Sequence, residues 1–483
     1  MRFQAILRIL GAITALTSLF ALPPLLLAVA LDEQEAIEAF VDSFLAAAVP
    51  GFLLWWPLRK VKYELRLRDG FFITTGIWVL VSLVSAIPFV LAPPNMNYTD
   101  AVFEAVSGFT TTGATTIVGI DALPRSVLLY RQSLNFYGGM GIIVLAVAIL
   151  PMLKVGGMQL FRAESTGPGK DSKLTPRIAE TAKALWLIYF GLNVLCALAF
   201  WIGGMSLFDA VCHALSTIAT AGFSTHDAGF GFWDSTLLDA IATVFMFVGG
   251  VNFALHYVAW RRASFDSYLG DSELRAYAVI IGVVTLAVTL VLWATRSFDG
   301  PGESLRHAAF QTVSNVTTTG FMTTGFVTWP SFAPLLLILI GFIGGCSGST
   351  TGGLKVARVL MSVRQGLREV KQLVHPRGQF LVKMGGRRVS ESIVLSVGGF
   401  VTLYLLSFIV VMLMLAGIGI DPVTAFSAAA TCINNLGPGL GAVAIHFGDM
   451  SDAGVWICSF AMILGRLEVF AVLVLFTPGF WKE

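Results

Sequence analysis

The chain has 483 residues, of which 56% are hydrophobic and only 12% are charged, and its mean hydropathy is +0.80. Soluble proteins carry about a quarter charged residues, so this composition excludes the soluble globular class and predicts a multi-pass integral membrane protein. The net charge of +2 identifies no partner. The cysteines have no ligand spacing, so we expect buried free thiols rather than a disulfide framework or a metal site: Cys196, Cys212, Cys346, Cys432 and Cys458.

Ten apolar stretches are long enough to cross a hydrocarbon core, which takes about 20 residues. The first ends in Ala28-Val29-Ala30, which resembles a signal-peptidase site, but the run is longer than a usual signal core. We therefore interpret it as a retained first helix. The predicted spans are 8–31, 38–58, 71–93, 127–151, 181–204, 235–258, 276–295, 332–364, 391–417 and 455–477.

Basic residues concentrate in alternate connections between these spans, whereas the acidic stretch Asp32–Glu38 falls on the opposite side. Because cytoplasmic loops carry an excess of Lys and Arg, this asymmetry predicts that both termini are cytoplasmic. The opposite side receives only Arg125, Arg131, Arg296 and Arg306. The predicted cytoplasmic set is Arg59, Lys60, Lys62, Arg66, Arg68, Lys154, Arg162, Lys170, Lys173, Arg177, Arg261, Arg262, Arg275, Arg364, Arg368, Lys371, Arg377, Lys383, Arg387 and Arg388.

A fourfold repeat lies between alternate spans, in segments too short and too polar to cross: Asp100–Ile117, Asp209–Thr225, His307–Thr324 and Thr424–Gly439. They align on one glycine each, with an alanine twelve residues earlier and a Ser or Thr six residues earlier. Such a register predicts a repeated structural unit. The aligned glycines are Gly113, Gly222, Gly320 and Gly437, the alanines Ala101, Ala210, Ala308 and Ala425, and the hydroxyl residues Ser107, Ser216, Ser314 and Thr431.

Non-helical backbone at membrane depth must be buried in protein or line a watery cavity. We therefore expect each segment to dip into the membrane as a short helix and return, so that four loops surround one axis. Their carbonyl and Thr hydroxyl oxygens can replace the hydration shell of a cation, aided by the partly negative helix C-termini. The alternative is small-residue helix packing. The candidate cation-lining residues are Thr111, Thr112, Gly113, Thr220, Ala221, Gly222, Thr318, Thr319, Gly320, Asn435, Leu436 and Gly437.

Three polar residues share the register nine positions before the aligned glycine, namely Glu104, His213 and Gln311, and we expect them to support the short helices. The decapeptide Gly344–Gly353 interrupts the span 332–364, and so many glycines cannot hold a lipid-facing helix. It is predicted to border the pore beneath the four loops, the alternative being a simple packing break. The candidate residues there are Gly345, Ser347, Gly348, Ser349, Thr350, Thr351, Gly352 and Gly353.

Arg466 lies in the middle of the last predicted span, where an ionised side chain is costly unless it faces a pore or a partner. We interpret it as a positive charge below the loops that helps to set a closed state. The alternative is an internal salt bridge with Glu468 or with another helix. Glu468 is a poor partner, because residues two apart on a helix do not face each other.

These motifs resemble the Trk/Ktr/HKT superfamily of potassium transporters, most closely its Trk-type integral membrane subunits (TrkH), over essentially the whole chain. The most specific pieces are Ser107-Gly-Phe-Thr-Thr-Thr-Gly113, Ser314-Asn-Val-Thr-Thr-Thr-Gly-Phe321 and Gly344-Gly-Cys-Ser-Gly-Ser-Thr-Thr-Gly-Gly353. The fourth loop, Asn434-Asn-Leu-Gly-Pro-Gly439, departs from the Thr-rich pattern but is similar to the family's degenerate fourth loop. The resemblance implies an all-α membrane fold with two leading helices and four helix–pore loop–helix repeats around one pseudo-fourfold pore.

The resemblance also implies that the four glycines mark a potassium selectivity filter and that Gly344–Gly353 forms an intramembrane gate. In plant relatives a serine at the first glycine goes with sodium preference, so Gly113 implies potassium here. Further implications are a homodimer, a bacterial cytoplasmic (inner) membrane location, no covalently bound cofactor, and a TrkA-like cytoplasmic ring subunit that binds NAD or ATP. The remaining expected partner is the lipid bilayer, with no nucleic acid.

The corresponding division is 1–70 for the leading helices and their basic loop, then repeats at 71–162, 163–270, 271–385 and 386–483. Sodium or mixed sodium/potassium transport is the main alternative. A secondary transporter with two inverted halves fits four units in the same direction poorly. A rhomboid-like protease is a remote alternative, based on Gly345-Cys-Ser347-Gly348 and His256, and it leaves the repeat unexplained.

Overall fold

The computed structural model of the chain describes residues 3–60, 66–144 and 174–482, with no side-chain description for 67, 144, 174–179 and 181. Within these ranges the protein is almost entirely α-helical, as predicted, and its strands are limited to one two-residue antiparallel hairpin. That hairpin pairs Lys383 with Arg388 and Met384 with Arg387.

Two leading helical segments pack closely against each other. The first combines α1 (Phe3–Thr17) and α2 (Leu22–Leu31), and the second is α3 (Gln34–Leu58). A Cβ built on Gly51 would lie 2.3 Å from the Ala15 backbone nitrogen. Small residues at this crossing therefore allow the backbones to touch, which is how apolar helices gain packing energy in lipid.

Four units follow, and each contains a long helix, a short helix and a second long helix that breaks in units 2, 3 and 4. This confirms the predicted architecture of two leading helices and four helix–loop–helix repeats. Unit 1 contains α4 (Leu67–Ser85), α5 (Ile87–Leu91), α6 (Tyr98–Phe109) and α7 (Arg125–Val144), and unit 2 contains α8 (Leu174–Ile202), α9 (Leu207–Ala219), α10 (Thr236–Gly249), α11 (Phe253–Arg262) and the short α12 (Asp266–Gly270). Unit 3 contains α13 (Ser272–Ala294), α14 (Pro301–Val316), α15 (Phe332–Gly341) and α16 (Val356–Val374), and the hairpin of β1 (Lys383–Met384) and β2 (Arg387–Arg388) follows it. Unit 4 contains α17 (Glu391–Gly417), α18 (Pro422–Asn434), α19 (Asp452–Arg466), α20 (Phe470–Leu473) and, last, α21 (Pro478–Trp481).

The short helices α6, α9, α14 and α18 begin at local signals that the sequence carries. Asn97 and Ser206 accept hydrogen bonds from the backbone nitrogens of Asp100 and Asp209, as N-cap residues do. Asp421 caps α18 in the same way, and α14 begins with a proline at its first position. Each short helix is thus started by its own residues, whereas its burial depends on the surrounding units.

Among the described residues, six helical segments are long and apolar enough to cross a bilayer, and the number reaches eight if each of two bent pairs forms one span. The predicted spans at 235–258 and 455–477 each correspond to a pair of helices that is apolar enough to cross together but bends sharply. α10 meets α11 at 96°, and α19 meets the segment Phe470–Phe476 at 109°. Asn252 caps the new helix by accepting a hydrogen bond from the Ala254 nitrogen, which fixes the first break.

The predicted interruption of 332–364 is confirmed, since residues 342–355 separate α15 from α16. The span 127–151 corresponds to α7, and its residues after 144 lie outside the described ranges. So do Lys62, Lys154, Arg162, Lys170 and Lys173, and the predicted division between residues 162 and 163. All five cysteines are buried and free, as predicted.

Candidate functional site

The four glycine-containing segments share one backbone conformation. The residue two positions before each glycine has a left-handed φ of 52–54°, and the glycines have φ values of 81°, 82°, 82° and 93°. In each unit the backbone nitrogen of the residue before the glycine donates a hydrogen bond to a backbone carbonyl. That carbonyl belongs to the Ser or Thr five positions earlier. These bonds join Thr112 to Ser107 (2.8 Å), Ala221 to Ser216 (2.9 Å), Thr319 to Ser314 (2.8 Å) and Leu436 to Thr431 (2.8 Å).

The same segments close into a ring, because each glycine faces a backbone carbonyl of the next unit. A Cβ on Gly113 would lie 1.9 Å from the Ala221 oxygen, and one on Gly222 would lie 1.9 Å from the Thr319 oxygen. A Cβ on Gly320 would lie 2.1 Å from the Leu436 oxygen. One on Gly437 would lie 2.7 Å from the Thr112 oxygen, which completes the cycle. The four loops therefore surround one axis in the order of the chain.

Inside this ring a side chain at any of the four glycines would strike a neighbouring carbonyl. Real Cβ atoms essentially never approach another heavy atom within 3.0 Å, and the left-handed φ further disfavours other residues. The structure thus brings together all twelve predicted cation-lining residues, and each is buried or half-buried. Their backbone carbonyls form an oxygen-rich site at the C-terminal ends of four short helices, where the helix dipole favours a cation.

Two threonine hydroxyls of the ring, those of Thr112 and Thr319, are bonded to other protein groups. The Thr112 Oγ1 lies 2.7 Å from the Thr110 Oγ1 and accepts a hydrogen bond from the Asn435 amide at 3.0 Å. Thr319 and Thr317 repeat the hydroxyl pair at 2.7 Å. The buried Thr111 hydroxyl, by contrast, has no hydrogen-bond partner among the described residues.

Polar side chains support each returning segment from the short helix. The Glu104 carboxylate accepts from Thr115 Oγ1 at 2.9 Å and from the Thr116 nitrogen at 3.2 Å. His213 contacts Ser224 Oγ at 3.0 Å, and Gln311 donates to the Thr324 carbonyl at 3.3 Å. These three residues were predicted to support the short helices, and the bonds show that they join each short helix to its returning segment. In unit 4 the role passes to Ser427, whose Oγ donates to the Leu440 carbonyl and accepts from the Leu440 nitrogen, both at 2.9 Å.

Unit 1 adds a fully buried ion pair to this support. The Arg131 Nε donates to Glu104 at 2.7 Å, and Arg131 Nη1 donates to the Ser224 carbonyl of unit 2 at 3.0 Å. The guanidinium also lies 4.1 Å from the centre of the Phe223 ring. Both charged side chains are fully buried, so the pair joins two units beside the ring.

The segment 342–355 lies against the face of the ring where the short helices end. The Gly352 nitrogen donates to Thr318 Oγ1 at 2.7 Å, and a Cβ on Gly352 would lie 1.9 Å from the Asn434 oxygen. Thr350 Oγ1 donates to the Ile218 carbonyl at 3.0 Å. The segment therefore contacts the ends of the short helices, and its role as a gate stays a prediction. The predicted residues Gly345, Ser347, Gly348, Ser349, Thr351 and Gly353 belong to the same segment.

Arg466, the last residue of α19, reaches this segment from unit 4. Its Nη1 donates to the Thr350 carbonyl at 2.8 Å, and its side chain is buried. Among the described residues its Nε and Nη2 have no hydrogen-bond partner. Glu468 is paired instead with Arg358 at 2.6 Å, so the alternative of an Arg466–Glu468 salt bridge is wrong. The buried guanidinium of Arg466 thus contacts the segment directly beneath the ring.

Residues 36–482 match the sequence model of a family described as TrkH, cation transport protein. The chain belongs to the TrkH family. This family is one of transporters, so the chain is a transport protein and not an enzyme. The match covers both the ring and the segment beneath it.

Named relatives of this TrkH-family chain align over full length. The Trk system potassium uptake protein TrkH of Vibrio parahaemolyticus is 49% identical over 486 residues, covering 100% of both chains. That of Escherichia coli K12 is 49% identical over 484 residues with the same coverage. The crystal structure of the potassium transporter TrkH from Vibrio parahaemolyticus superposes with a TM-score of 0.93, at 47% identity and 100% coverage of both chains.

The protease alternative fails on geometry as well as on family. The Ser347 hydroxyl donates to Glu273 at 3.1 Å, whereas both ring nitrogens of His256 are engaged elsewhere. These nitrogens contact the Tyr268 hydroxyl at 2.8 Å and the Val248 carbonyl at 3.1 Å. No serine–histidine pair of the kind that activates a nucleophile therefore forms between these two residues.

Three ionisable residues beside the segment were not singled out from the sequence. Lys355 ends the segment and donates to the Thr351 carbonyl, Arg358 pairs with Glu468, and Glu273 holds Ser347. Ionisable residues inside or next to apolar spans are functional candidates by default. That signal was present for Lys355, which follows the glycine-rich decapeptide in an otherwise apolar stretch.

Proposed function

We propose that this protein takes up potassium across the bacterial cytoplasmic membrane through the ring of four loops. The observation that carries the proposal is the closed cycle of glycine–carbonyl contacts that ends with Gly437 facing the Thr112 oxygen. A ring of inward carbonyls can replace the hydration shell of a cation. The relatives named as potassium uptake proteins, aligned over the full chain, support potassium as the ion.

In this proposal the twelve ring residues are the selectivity filter, and glycine at all four aligned positions favours potassium. Glycine keeps the carbonyls of Thr112, Ala221, Thr319 and Leu436 close to the axis, because no Cβ intervenes. Sodium or mixed sodium/potassium transport by the same fold is the second candidate. Only a competition measurement separates the two ions.

The gate in this proposal is residues 345–353 together with Arg466. The segment crosses beneath the ring, and the Arg466 guanidinium holds it through the Thr350 carbonyl at 2.8 Å. A positive charge at this place also repels cations that leave the ring. Opening then requires the segment to move away from Thr318 and Arg466.

The remaining parts of the proposal concern assembly. We propose a homodimer with both termini in the cytoplasm, regulated by a TrkA-like ring subunit that carries the NAD or ATP. Residues 1–70, 71–162, 163–270, 271–385 and 386–483 are the corresponding structural divisions. The potassium ion is the cargo of the protein.

The test is uptake of radioactive rubidium into liposomes that contain the purified protein, with potassium or sodium as the competitor. Potassium is expected to block uptake and sodium is not. Gly113→Ser is expected to weaken the discrimination, because its Cβ meets the Ala221 carbonyl. Gly119→Ser is the matched control, since Gly119 has nearly the same φ, 80° against 81°, but no heavy atom within 4 Å of the added Cβ.

Equal competition by both ions would favour the sodium or mixed alternative. Equal discrimination by Gly113→Ser and Gly119→Ser would contradict the assignment of the ring as the filter. If the isolated protein shows no uptake, the measurement is repeated with the regulatory subunit and its nucleotide, and continued absence of uptake contradicts the proposal.

A further inference from the structure

Glu273, in the first turn of α13, contacts the segment beneath the ring and also the helix α16 that follows it. Its Oε1 accepts from the Ser347 nitrogen at 2.7 Å, from Ser347 Oγ at 3.1 Å and from the Ala357 nitrogen at 3.0 Å. Ser347 lies near the start of the segment, and Ala357 is the second residue of the helix that follows it. One carboxylate oxygen therefore binds two residues, Ser347 and Ala357, that are ten positions apart in the chain.

A carboxylate suits this place for two physical reasons. The first backbone N–H groups of a helix have no acceptor within the helix, and the N-cap of α16, Lys355, provides no side-chain cap. Glu273 supplies the missing acceptor from another helix, and its negative charge is favourable at the N-terminus of α16. Hydrogen bonds to an ionised acceptor are also roughly twice as strong as neutral ones.

We propose that Glu273 is a positioning residue that couples α16 to the gate and holds the gate closed. This inference rests on the gate of the proposed function and names a residue that acts through it. Because Ala357 and Ser347 share one acceptor atom, α16 cannot shift while the start of the segment stays in place. A displacement of α16, which leads to the predicted cytoplasmic basic cluster, is therefore transmitted to Ser347 and Gly348.

The contacts on either side of this anchor fit the coupling. The Cys346 nitrogen donates to the Gly250 carbonyl at 2.9 Å, and the Phe253 nitrogen donates to the Gly348 carbonyl at 3.1 Å. Both bonds attach the start of the segment to the break in unit 2. On the α16 side, Arg358 reaches Glu468 in the break of unit 4. The two residues that Glu273 contacts are thus chain neighbours of residues bonded to the breaks in units 2 and 4.

Cys346 provides a built-in reporter, because it precedes Ser347 and is 1% exposed. The test compares the wild type with Glu273→Ala and Glu273→Gln in liposomes without a regulatory subunit. Rubidium leak is measured together with the rate at which a small water-soluble thiol reagent labels Cys346, located by peptide mass spectrometry. Glu303→Ala is the matched control, since Glu303 also lies in the first turn of a helix and accepts one backbone hydrogen bond, at 3.3 Å from Asp299.

We expect Glu273→Ala to raise both rates about tenfold or more, the factor that corresponds to about 1.4 kcal/mol. Glu273→Gln should fall between Glu273→Ala and the wild type, because its amide oxygen can accept the same bonds without the charge. Glu303→Ala should match the wild type. The intermediate rates of Glu273→Gln would distinguish a positioning role of Glu273 from a general loss of structure.

Wild-type rates in Glu273→Ala would overturn the inference. If that variant does not fold, Glu273→Gln and Ser347→Ala decide, and wild-type labelling in both would overturn it as well. If Cys346 labelling rises while no protein shows potassium-selective uptake, the anchor stands and the proposed function fails. If every variant shows potassium-selective uptake and Cys346 labelling is unchanged, the proposed function stands and the inference about Glu273 fails.

Discussion

The ring and the layer beneath it differ in symmetry. Within the ring, all four units repeat one backbone conformation and one hydrogen bond. On the face where the short helices end, each unit differs. Unit 3 contributes the segment 342–355, and unit 4 contributes Arg466. Coordination of a bare cation needs equivalent oxygens on all sides, whereas an obstruction needs only one.

The second helices make this contrast visible residue by residue. A Cβ on Gly138 would lie 1.9 Å from the Phe109 oxygen, and one on Gly465 would lie 1.9 Å from the Ile433 oxygen. These two glycines let their helices touch equivalent carbonyls of the short helices. The residue that follows is glycine in unit 1 and Arg466 in unit 4. A charged side chain therefore stands at the position where unit 1 has Gly139, whose added Cβ would lie 2.6 Å from the Tyr189 hydroxyl.

The largest expected effect comes from the ion pair that supports unit 1. Glu104→Ala leaves Arg131 buried without its carboxylate and is expected to lower the free energy of unfolding by about 3–5 kcal/mol. Denaturant unfolding in detergent measures it. Glu391→Ala is the control, because that pair with Arg368 is exposed and worth about 0–1 kcal/mol. A loss for Glu104→Ala no larger than for the control would contradict the role of the buried pair.

Gly222→Ala tests whether the ring is equivalent on all sides. The left-handed φ costs an alanine about 1–2 kcal/mol, and the clash with the Thr319 carbonyl adds about 1–3 kcal/mol of overpacking. We expect loss of potassium discrimination in rubidium competition, comparable to that in Gly320→Ala. Gly204→Ala, which has a positive φ of 110° and open space around it, serves as the control. Full discrimination between potassium and sodium in either Gly222→Ala or Gly320→Ala would contradict the equivalence of the units in the ring.

Arg466→Ala tests the unequal face and should raise cation flux about tenfold. The lost hydrogen bond from a charged donor to the Thr350 carbonyl is worth about 1.5–3 kcal/mol, and a positive charge leaves the path. Rubidium flux is compared with that of Arg377→Ala, which removes an exposed arginine. Unchanged or lower flux in a well-folded Arg466→Ala protein would argue against the gating role.

The smallest expected effect concerns the support in unit 4. Ser427→Ala removes two neutral hydrogen bonds to Leu440 and should lower the free energy of unfolding by about 1–3 kcal/mol. A weaker potassium discrimination should accompany the loss, because Leu440 follows the ring glycine closely. Ser396→Ala, which removes one hydroxyl bond on the exposed side of α17, is the control. Equal losses in both variants would show that this support is ordinary helix packing.

Local signals in the chain were sufficient for the repeat, the short helices and the interruption in unit 3. The glycine register and the decapeptide Gly344–Gly353 both describe what each segment does by itself. They were not sufficient for the breaks in units 2 and 4, because the apolar stretches 235–258 and 455–477 read as continuous spans. A break there is favourable only because other units cover the freed backbone groups.

The sequence by itself determined the class of the protein, the four units and the identity of the residues at each ring position, since these follow from hydropathy, spacing and backbone preference. The tertiary structure alone decided which carbonyl each glycine faces, which residue Arg466 contacts, and that Glu273 holds both Ser347 and Ala357. The physical reason is distance along the chain. Contacts between residues 74 or 116 positions apart depend on how whole units pack, and no local pattern encodes that packing.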